Sequence, residues 1–232
     1  MAQTITINDV RSVKGKGYLH NRGTDCFSAR VVTPCGVVTA EQTRKLAEIA
    51  EKFGNGTVTL TTRQSFELPG IPFAKLADFE AAVKATGLSV GGTGPKVRPI
   101  VACKGTTCPC GLIDTFALAK AIHERFYLGW HDVVLPGKFK IAVGGCPNNC
   151  VKPNLNDLGI VGKVLPGNRR GYLVTLGGHW GRVGDVGQAA ETFETADQVL
   201  AYIEKVLTFF RDHGMKGERF FKMLARLGIS KV

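Results

Sequence analysis

The sequence predicts an α+β protein built from two parts. Residues 27–90 alternate between strand-like and helix-like patterns, which is typical of a small layer of helices on a sheet. A glycine-rich stretch follows at 89–95, and its composition marks a linker. Beyond the linker, further strand and helix patterns are interrupted by two groups of cysteines. We therefore predict one domain over 1–92 and a second over 93–232.

The composition favours a folded, soluble protein. The 232 residues include 44% hydrophobic side chains, which is enough for a sizeable core. No apolar run approaches the roughly 20 residues that a membrane-spanning helix needs, and the first residues lack the pattern of a signal peptide. These observations predict a cytoplasmic protein with no membrane partner.

The first part opens with residues 1–25, which are polar and are expected to form a solvated arm. A strand is predicted at 27–32, where it ends before a Pro-Cys-Gly turn. The segment 39–53 predicts a helix, because Thr39 is a suitable N-cap and Gln42 falls in the first turn. Its apolar residues recur at helical spacing and predict a buried face of Leu46, Ile49, Ala50 and Phe53.

A second strand is predicted at 57–63, where polar and apolar residues alternate. Val58 and Leu60 are expected to face the core, while three threonines and Arg63 share the opposite face. Hydroxyl groups and a guanidinium on one face suit an anionic ligand, because the planar fork of arginine can hold a carboxylate. The alternative is an exposed surface strand. A second helix is predicted at 72–86, with an apolar stripe of Phe73, Leu76, Phe79 and Val83.

In the second part, two lysines share one face of a predicted strand at 136–143. Lys138 and Lys140 lie two residues apart, so they point to the same side. Two neighbouring ammonium groups repel each other, and this face therefore predicts an anion between them. An edge strand with two solvated lysines is the alternative. The other predicted strands lie at 97–102, 156–163 and 171–177, and the predicted helices at 112–126, 195–212 and 216–227.

Five of the seven cysteines lie in two short groups about forty residues apart. Two such groups can supply four thiolates to one iron–sulfur cluster, whereas an odd count argues against a disulfide framework. We also expect amides at the start of the helix at 112–126 to donate hydrogen bonds to the cluster sulfurs. Cys26 and Cys35 lie outside the groups and are expected to be small buried residues. The first group is Cys103, Cys108 and Cys110, and the second is Cys146 and Cys150.

At these motifs the chain resembles the sirohaem-dependent sulfite and nitrite reductases. The run GCPNNC that ends at Cys150 is similar to the family's second cluster motif, and the run from Cys103 to Thr115 is similar to its first. The run LTTRQ at 60–64 is similar to the family's sirohaem-contacting segment. The matches come in the family's order and span about residues 15–225. One difference is that the family usually has five residues between its first two cysteines, whereas four separate Cys103 from Cys108.

The resemblance implies a small N-terminal ferredoxin-like half domain followed by an α+β sirohaem–[4Fe–4S] domain. Alignment on the run GLIDT at 111–115 makes Cys108 the second cluster ligand, with Cys110 as the rival. The implied cluster ligands are then Cys103, Cys108, Cys146 and Cys150, and the Cys150 sulfur also bridges to the sirohaem iron. His179 is a less suitable iron ligand, because cysteine already offers one. Contacts with sirohaem are implied for Thr62, Arg63, Gln64, Asn148, Gly177, Gly178 and Arg182, in addition to Cys150.

The activity that the resemblance implies is a six-electron reduction of a small oxyanion, with sulfite converted to sulfide as the first expectation. Nitrite reduction to ammonia is the alternative. Two further alternatives are a non-enzymatic iron–sulfur electron carrier and a sirohaem protein that only binds a sulfur compound. The cations implied to surround the oxyanion, attract it and supply protons are Arg30, Arg63, Lys138 and Lys140.

The formal net charge of +11 raises the question of a nucleic-acid partner. The basic residues form no dense run with interleaved aromatics, and four thiolates with the carboxylates of sirohaem would offset the charge, so we expect none. The sequence shows neither a glycine-rich nucleotide motif nor a second ferredoxin-like cysteine set. It therefore predicts a separate electron donor, either a ferredoxin or a reductase subunit. The family usually contains the two-part unit twice, and its single occurrence here predicts a homo-oligomer, most simply a dimer.

Overall fold

The computed structural model describes residues 5–230 and 232, which fold into two compact units. The first unit ends at Gly94 and the second begins at Pro95. Within the described residues, each unit contains its own five-stranded sheet.

The first unit is an antiparallel sheet packed against helices. Its strands are β1 (Tyr18–His20), β2 (Cys26–Val32), β3 (Thr59–Leu60), β4 (Phe66–Pro72) and β5 (Ser89–Val90). They run in the order β1-β2-β4-β3, and β5 also pairs with β2. The helices are α1 (Ile7–Ser12), α2 (Ala40–Phe53) and α3 (Leu76–Ala85).

Helix α2 begins and packs as the sequence predicts. The Thr39 hydroxyl accepts the Gln42 N–H, and the Gln42 side chain accepts the Thr39 N–H, so two amides that the helix itself leaves open are satisfied. The predicted apolar face of α2 is buried. It packs in a core that includes Phe27 and Phe79, both fully buried.

The strand expected at 57–63 is much shorter in the structure. Only Thr59–Leu60 is regular, Val58 is 36% exposed and Leu60 is 77% exposed, so the expectation that these two residues face the core is wrong. The chain turns at 61–64 and returns as β4, which leaves β3 at the end of the sheet. A two-residue strand in that position does not bury its apolar side.

Two further differences concern elements that local patterns do not predict. Strand β4 contains Pro69 and Gly70, a pair that normally marks a break. The sheet accommodates them with an irregular register between β2 and β4, at a glycine whose φ is +83°. The expected arm at 1–25 contains α1 and β1, and Tyr18 is buried. Residues 1–4 of that arm lie outside the described residues.

The second unit contains a mixed sheet. Its strands lie side by side in chain order, with parallel pairing among the first three and antiparallel pairing among the last three. They are β6 (Val101–Ala102), β7 (Ile141–Gly144), β8 (Leu158–Leu165), β9 (Arg169–Leu176) and β10 (Gln188–Phe193). The helices are α4 (Thr115–Ile122), which continues as a π-helix over His123–Leu128, α5 (Ala196–His213) and α6 (Phe220–Leu227).

The core of the second unit is built around three fully buried rings, those of Phe139, Phe210 and Phe220, whose centroids lie 5.1 to 5.8 Å apart. Strand β10 is not predicted from the sequence, because its pattern is mostly polar and exposed. Helix α6 begins at Phe220 rather than at 216, because a turn precedes it. None of the helices in the described residues combines the length and apolar character that crossing a bilayer requires.

Candidate functional site

The two cysteine groups adjoin each other in the second unit. The Leu112 N–H donates to the Gly145 carbonyl at 2.8 Å, and the Cys103 N–H donates to the Val143 carbonyl at 3.1 Å. A Cβ atom built on Gly105 would lie 2.8 Å from the Gly145 Cα, which is closer than real Cβ contacts. Glycine at both positions therefore allows the two cysteine loops to meet.

A backbone amide already points at one of the cysteine sulfurs. The Gly145 N–H donates to Cys103 Sγ at 3.1 Å. Such bonds stabilise negative charge on sulfur and help to set the potential of a cluster. The amide does not come from the start of α4 as expected, because the Phe116 N–H donates to the Thr106 hydroxyl and the Ala117 N–H to the Asp114 carboxylate. For these two amides, the expectation of a bond to sulfur is wrong.

The cysteine side chains fit a cluster better than a single ion. Cys103, Cys108 and Cys146 are half-buried thiols, whereas Cys150 is exposed. Across residues 5–230 and 232, no three potential ligands gather closely enough to hold one metal ion. An iron–sulfur cluster keeps its four thiolates farther apart than a single ion does, and the sulfur-directed amide suits it.

The rival ligands Cys108 and Cys110 differ in their surroundings. Cys108 is half-buried, and its loop is held by bonds from the Gly111 N–H to the Cys108 carbonyl at 2.8 Å and from the Cys108 N–H to the Gly105 carbonyl at 3.3 Å. Cys110 is exposed. The more enclosed and better fixed thiol is that of Cys108.

We expect Cys108→Ser to lose the cluster and Cys110→Ser to keep it, because a serine hydroxyl deprotonates far less readily than a thiol and binds cluster iron much more weakly. Iron and acid-labile sulfide, measured in protein purified without air, report the result. The two substitutions are chemically identical and lie two residues apart, so each serves as the control for the other. Retention of iron and sulfide by Cys108→Ser, with their loss in Cys110→Ser, would reverse the assignment.

Gly111 is the most crowded glycine of the first cysteine loop. A Cβ atom at this position would lie 1.9 Å from the Gly105 carbonyl oxygen. We expect Gly111→Ala to lower the free energy of unfolding by about 3 kcal/mol, because backbone atoms must move to admit the methyl group. Thermal unfolding measures the change. Gly181→Ala is the matched control, since a Cβ there meets no atom within 4 Å, and an equal loss in both variants would contradict this account.

The predicted lysine face is present in the second unit. Lys138 and Lys140 are half-buried and alternate with Phe139 and Ile141, which are fully buried. Regular strand β7 begins only at Ile141, and Phe139 forms a single parallel bridge to Val97. Partial burial lowers the pKa of Lys138 below the usual lysine value, and the Arg219 and Arg98 guanidinium groups add to this, while Asp157 opposes it.

Three charged residues of this face are not found by the sequence reasoning: Arg98, Asp157 and Arg219. Asp157 is completely buried and accepts hydrogen bonds from Arg219 Nη2 at 3.1 and 3.2 Å. Burial raises the pKa of Asp157 although Arg219 acts in the opposite direction. The sequence could have indicated Arg98, because this residue lies in the strand predicted at 97–102. No local pattern indicates the pairing of Asp157 with Arg219, because the two residues are 62 positions apart.

The candidate residues of the first unit lie on β2 and in the turn before β4. Arg30 on β2 forms an ion pair with Glu67 on β4, with 2.9 Å between Nε and Oε2. Thr62, Arg63 and Gln64 lie in the turn at 61–64, so the expectation that Arg63 shares a strand face with three threonines is wrong. The Gln64 carbonyl accepts the Thr33 hydroxyl, which ties this turn to the end of β2.

The Gly-Gly loop of the second unit packs on the segment that follows the second cysteine group. A Cβ atom on Gly178 would lie 2.1 Å from the Asn154 carbonyl oxygen, and the Asn149 side-chain amide donates to Asn154 Oδ1 at 2.9 Å. Gly177 has a φ of +81°, which favours glycine. Asn148 and Arg182 are exposed. His179 is buried, with its ring stacked on Phe221 at 3.6 Å between centroids.

The fold and these residues define a class of protein: a two-unit α+β chain in which two adjoining cysteine loops suit an iron–sulfur cluster. The second of these loops follows a cationic segment. Residues 93–232 match the nitrite and sulphite reductase 4Fe-4S domain, and residues 18–86 match the nitrite/sulfite reductase ferredoxin-like half domain. The chain belongs to the nitrite and sulphite reductase family. Membership of this family supports the two expected cofactors, a [4Fe–4S] cluster and sirohaem.

Several proteins are similar in sequence to this chain, and the share of their own length that the chain spans differs widely. The chain is 31% identical over 222 residues to an assimilatory-type sulfite reductase of Nitratidesulfovibrio vulgaris, covering 94% of this chain and 95% of the relative. It is 36% identical over 152 residues, 65% of this chain, to a coenzyme F420-dependent sulfite reductase of Methanocaldococcus jannaschii, of which it spans 24%. It spans 48% of another protein of that organism, to which it is 38% identical over 136 residues, 59% of this chain.

A solved structure supports the fold. The Mycobacterium tuberculosis NirA protein superimposes with a TM-score of 0.82 at 20% identity, over 97% of this chain and 45% of the NirA chain. The expected fold class, a ferredoxin-like half domain followed by an α+β domain, is confirmed.

Proposed function

We propose that this protein reduces sulfite to sulfide in a six-electron reaction. The observation that carries the proposal lies within one unit: the segment with Lys138 and Lys140 runs through β7 directly into the second cysteine group. A cationic face and the proposed redox site are thereby joined by one continuous segment of chain, of which β7 is the regular strand. The assimilatory-type sulfite reductase that matches this chain over almost its whole length supports sulfite as the first substrate.

The residues proposed to hold the cofactors are four cysteines and seven further residues. Cys103, Cys108, Cys146 and Cys150 would hold the [4Fe–4S] cluster, and Cys150 would also serve the haem iron. When bound, the cluster and sirohaem would store electrons and supply an iron site for the oxyanion. The residues proposed to contact sirohaem are Thr62, Arg63, Gln64, Asn148, Gly177, Gly178 and Arg182.

The cations of the chain have two proposed tasks. Arg30, Arg63, Lys138 and Lys140 attract the oxyanion and stabilise charge on its oxygens. The lysines also donate protons as oxygen leaves, and the lowered pKa of Lys138 makes its ammonium a stronger acid than an ordinary lysine. Glu67 holds the Arg30 side chain in place, but its carboxylate also offsets part of the positive charge of Arg30.

Nitrite is the alternative substrate, because the same cations suit either anion and the matching family models include nitrite reductases. We propose a separate protein as electron donor, a ferredoxin or a reductase subunit, and a cytoplasmic location. We also propose a homodimer, because the family usually contains the two-part unit twice, and two copies of this single unit would provide the same number. Size measurement by light scattering tests the dimer, and a monomer with full haem content would contradict it.

Protein purified without air provides the test of the function. We expect the strong visible bands of sirohaem, iron and acid-labile sulfide, and turnover of sulfite with a chemical reductant faster than that of nitrite. Visible bands of a bare cluster without haem would favour the electron-carrier alternative. If both cofactors are present but neither sulfite nor nitrite is reduced, the result would favour a protein that only binds a sulfur compound.

A further inference from the structure

The buried pair of Asp157 and Arg219 joins segments of the second unit that are far apart in sequence. Both carboxylate oxygens of Asp157 lie within 3.2 Å of Arg219 Nη2, and Oδ2 also accepts the Lys140 backbone N–H at 2.8 Å. One carboxylate thus touches the lysine segment and the turn that precedes α6. Asp157 itself lies just before β8, so three segments meet at this point.

A second set of contacts holds the lysine segment against the same turn. The Gly217 N–H donates to the Pro136 carbonyl at 2.8 Å. A Cβ atom on Gly137 would lie 2.2 Å from the Glu218 carbonyl oxygen and 3.7 Å from Arg219 Cδ. Gly137 therefore lets the backbone beside Lys138 come into direct contact with the turn that carries Arg219.

The turn is itself braced by an ion pair. Glu218 accepts hydrogen bonds from the Met215 N–H at 2.8 Å and from Arg226 Nε and Nη2 at 2.9 and 2.8 Å. These donors lower the pKa of Glu218 to about 2, so the pair keeps its charges at any pH near neutrality. Arg219 is thus presented from a fixed backbone.

The charges around Lys138 require such support. Arg219 and Arg98 are the cations whose fields reach Lys138, and Asp157 is the carboxylate that opposes them. Like charges at close range repel, so the Lys138 ammonium stays beside these guanidinium groups only at a free-energy cost, which the opposing charge of Asp157 reduces. A buried carboxylate that loses its cation is also costly, which makes Asp157 and Arg219 dependent on each other.

We propose that Asp157 and Arg219 are positioning residues: together they fix the segment that presents Lys138 and Lys140 to the oxyanion, and Arg219 adds a positive charge beside Lys138. This inference rests on the function proposed above. It assigns a role in anion binding to the turn before α6, which is distant in sequence from both cysteine groups.

The first test separates oxyanion binding from folding in the cofactor-loaded protein. We expect Arg219→Gln and Asp157→Asn each to raise the KM for sulfite about tenfold with a smaller change in kcat, because the lysines lose their fixed position. The double variant should resemble the single ones, since the two residues act as a unit and the double change leaves no unpaired buried charge. Arg219→Lys should recover part of the affinity. Visible absorbance confirms that each variant keeps its cofactors.

Arg211→Gln is the matched control, because it removes the same charge from an exposed ion pair on α5. A KM that rises equally in this control would show a general effect of net charge and overturn the proposal. Variants that unfold at lower temperature but keep the KM of the parent protein would assign the pair a role in stability only, which also overturns it.

The second test does not depend on turnover. The rate at which Lys138 is acetylated across a pH series, followed by mass spectrometry of the folded protein, reports the pKa of its amine. We expect that pKa to rise in Arg219→Gln, because a neighbouring cation has been removed, and to stay unchanged in Arg211→Gln. If the parent protein reduces neither sulfite nor nitrite, the proposed function fails while this titration still decides the placement of Arg219. If the pKa of the Lys138 amine is the same in Arg219→Gln as in the parent protein, the inference is overturned.

Discussion

Cys150→Ser is expected to abolish oxyanion reduction and the combined spectrum of cluster and haem. Cys150 is the ligand proposed to serve both cofactors, so its loss affects both at once. Changes to residues that only support a metal ligand typically cost 10–100-fold, and loss of the ligand itself should cost more than about 100-fold in turnover. Visible absorption, acid-labile sulfide and sulfite turnover of protein purified without air measure the effect.

Cys26→Ser is the control for this substitution. Cys26 is a half-buried thiol at the start of β2, outside both cysteine groups, and it should keep spectrum and turnover. A Cys150→Ser variant that retained the parent spectrum would show that another residue, such as Cys110, fulfils the proposed role.

Lys140→Ala is expected to keep both cofactors and to reduce kcat for sulfite by about 100-fold. Removing one preorganised donor to a developing anion typically costs about 100- to 1,000-fold, and Lys140 lies in the half-buried row that precedes the second cysteine group. The Lys140 backbone N–H, which bonds to Asp157, is unaffected by the substitution, so the segment should stay in place. Steady-state turnover and visible absorption together measure the result.

Lys163→Ala supplies the comparison, because Lys163 is an exposed residue of β8 and carries the same charge. Equal rates in the two variants would remove Lys140 from the active site. Loss of haem absorbance in Lys140→Ala would instead assign this lysine to cofactor binding rather than to the oxyanion.

The features that the sequence predicted well depend on neighbouring residues. The capping box of α2 needs only Thr39 and Gln42, and its buried face follows from a spacing of three and four residues. The alternation of Lys138 and Lys140 with buried neighbours is likewise a property of a short extended segment. The cysteine groups are dense enough to indicate a cluster before any contact between them is known.

Strand β3 shows where the local pattern failed. Alternating residues at 57–63 fit a half-buried strand equally well at the edge or in the middle of a sheet. The position of β3 in the sheet is decided by β4, which pairs with β3 on one side and with β2 on the other. The sequence pattern does not predict β4, because Pro69 and Gly70 interrupt it. The exposure of Leu60 therefore follows from sheet order, which a two-residue period does not encode.

By itself, the amino-acid sequence determined the family, the cysteine groups, the lysine pair and most helices, because each can be recognised from adjacent or regularly spaced residues. Only the tertiary structure decided that Gly145, rather than the start of α4, directs an amide at Cys103, and that Asp157 meets Arg219 beneath the lysine face. These contacts join residues 42 and 62 positions apart. Their formation depends on the packing of the whole unit, which offsets the entropy lost in closing such long loops.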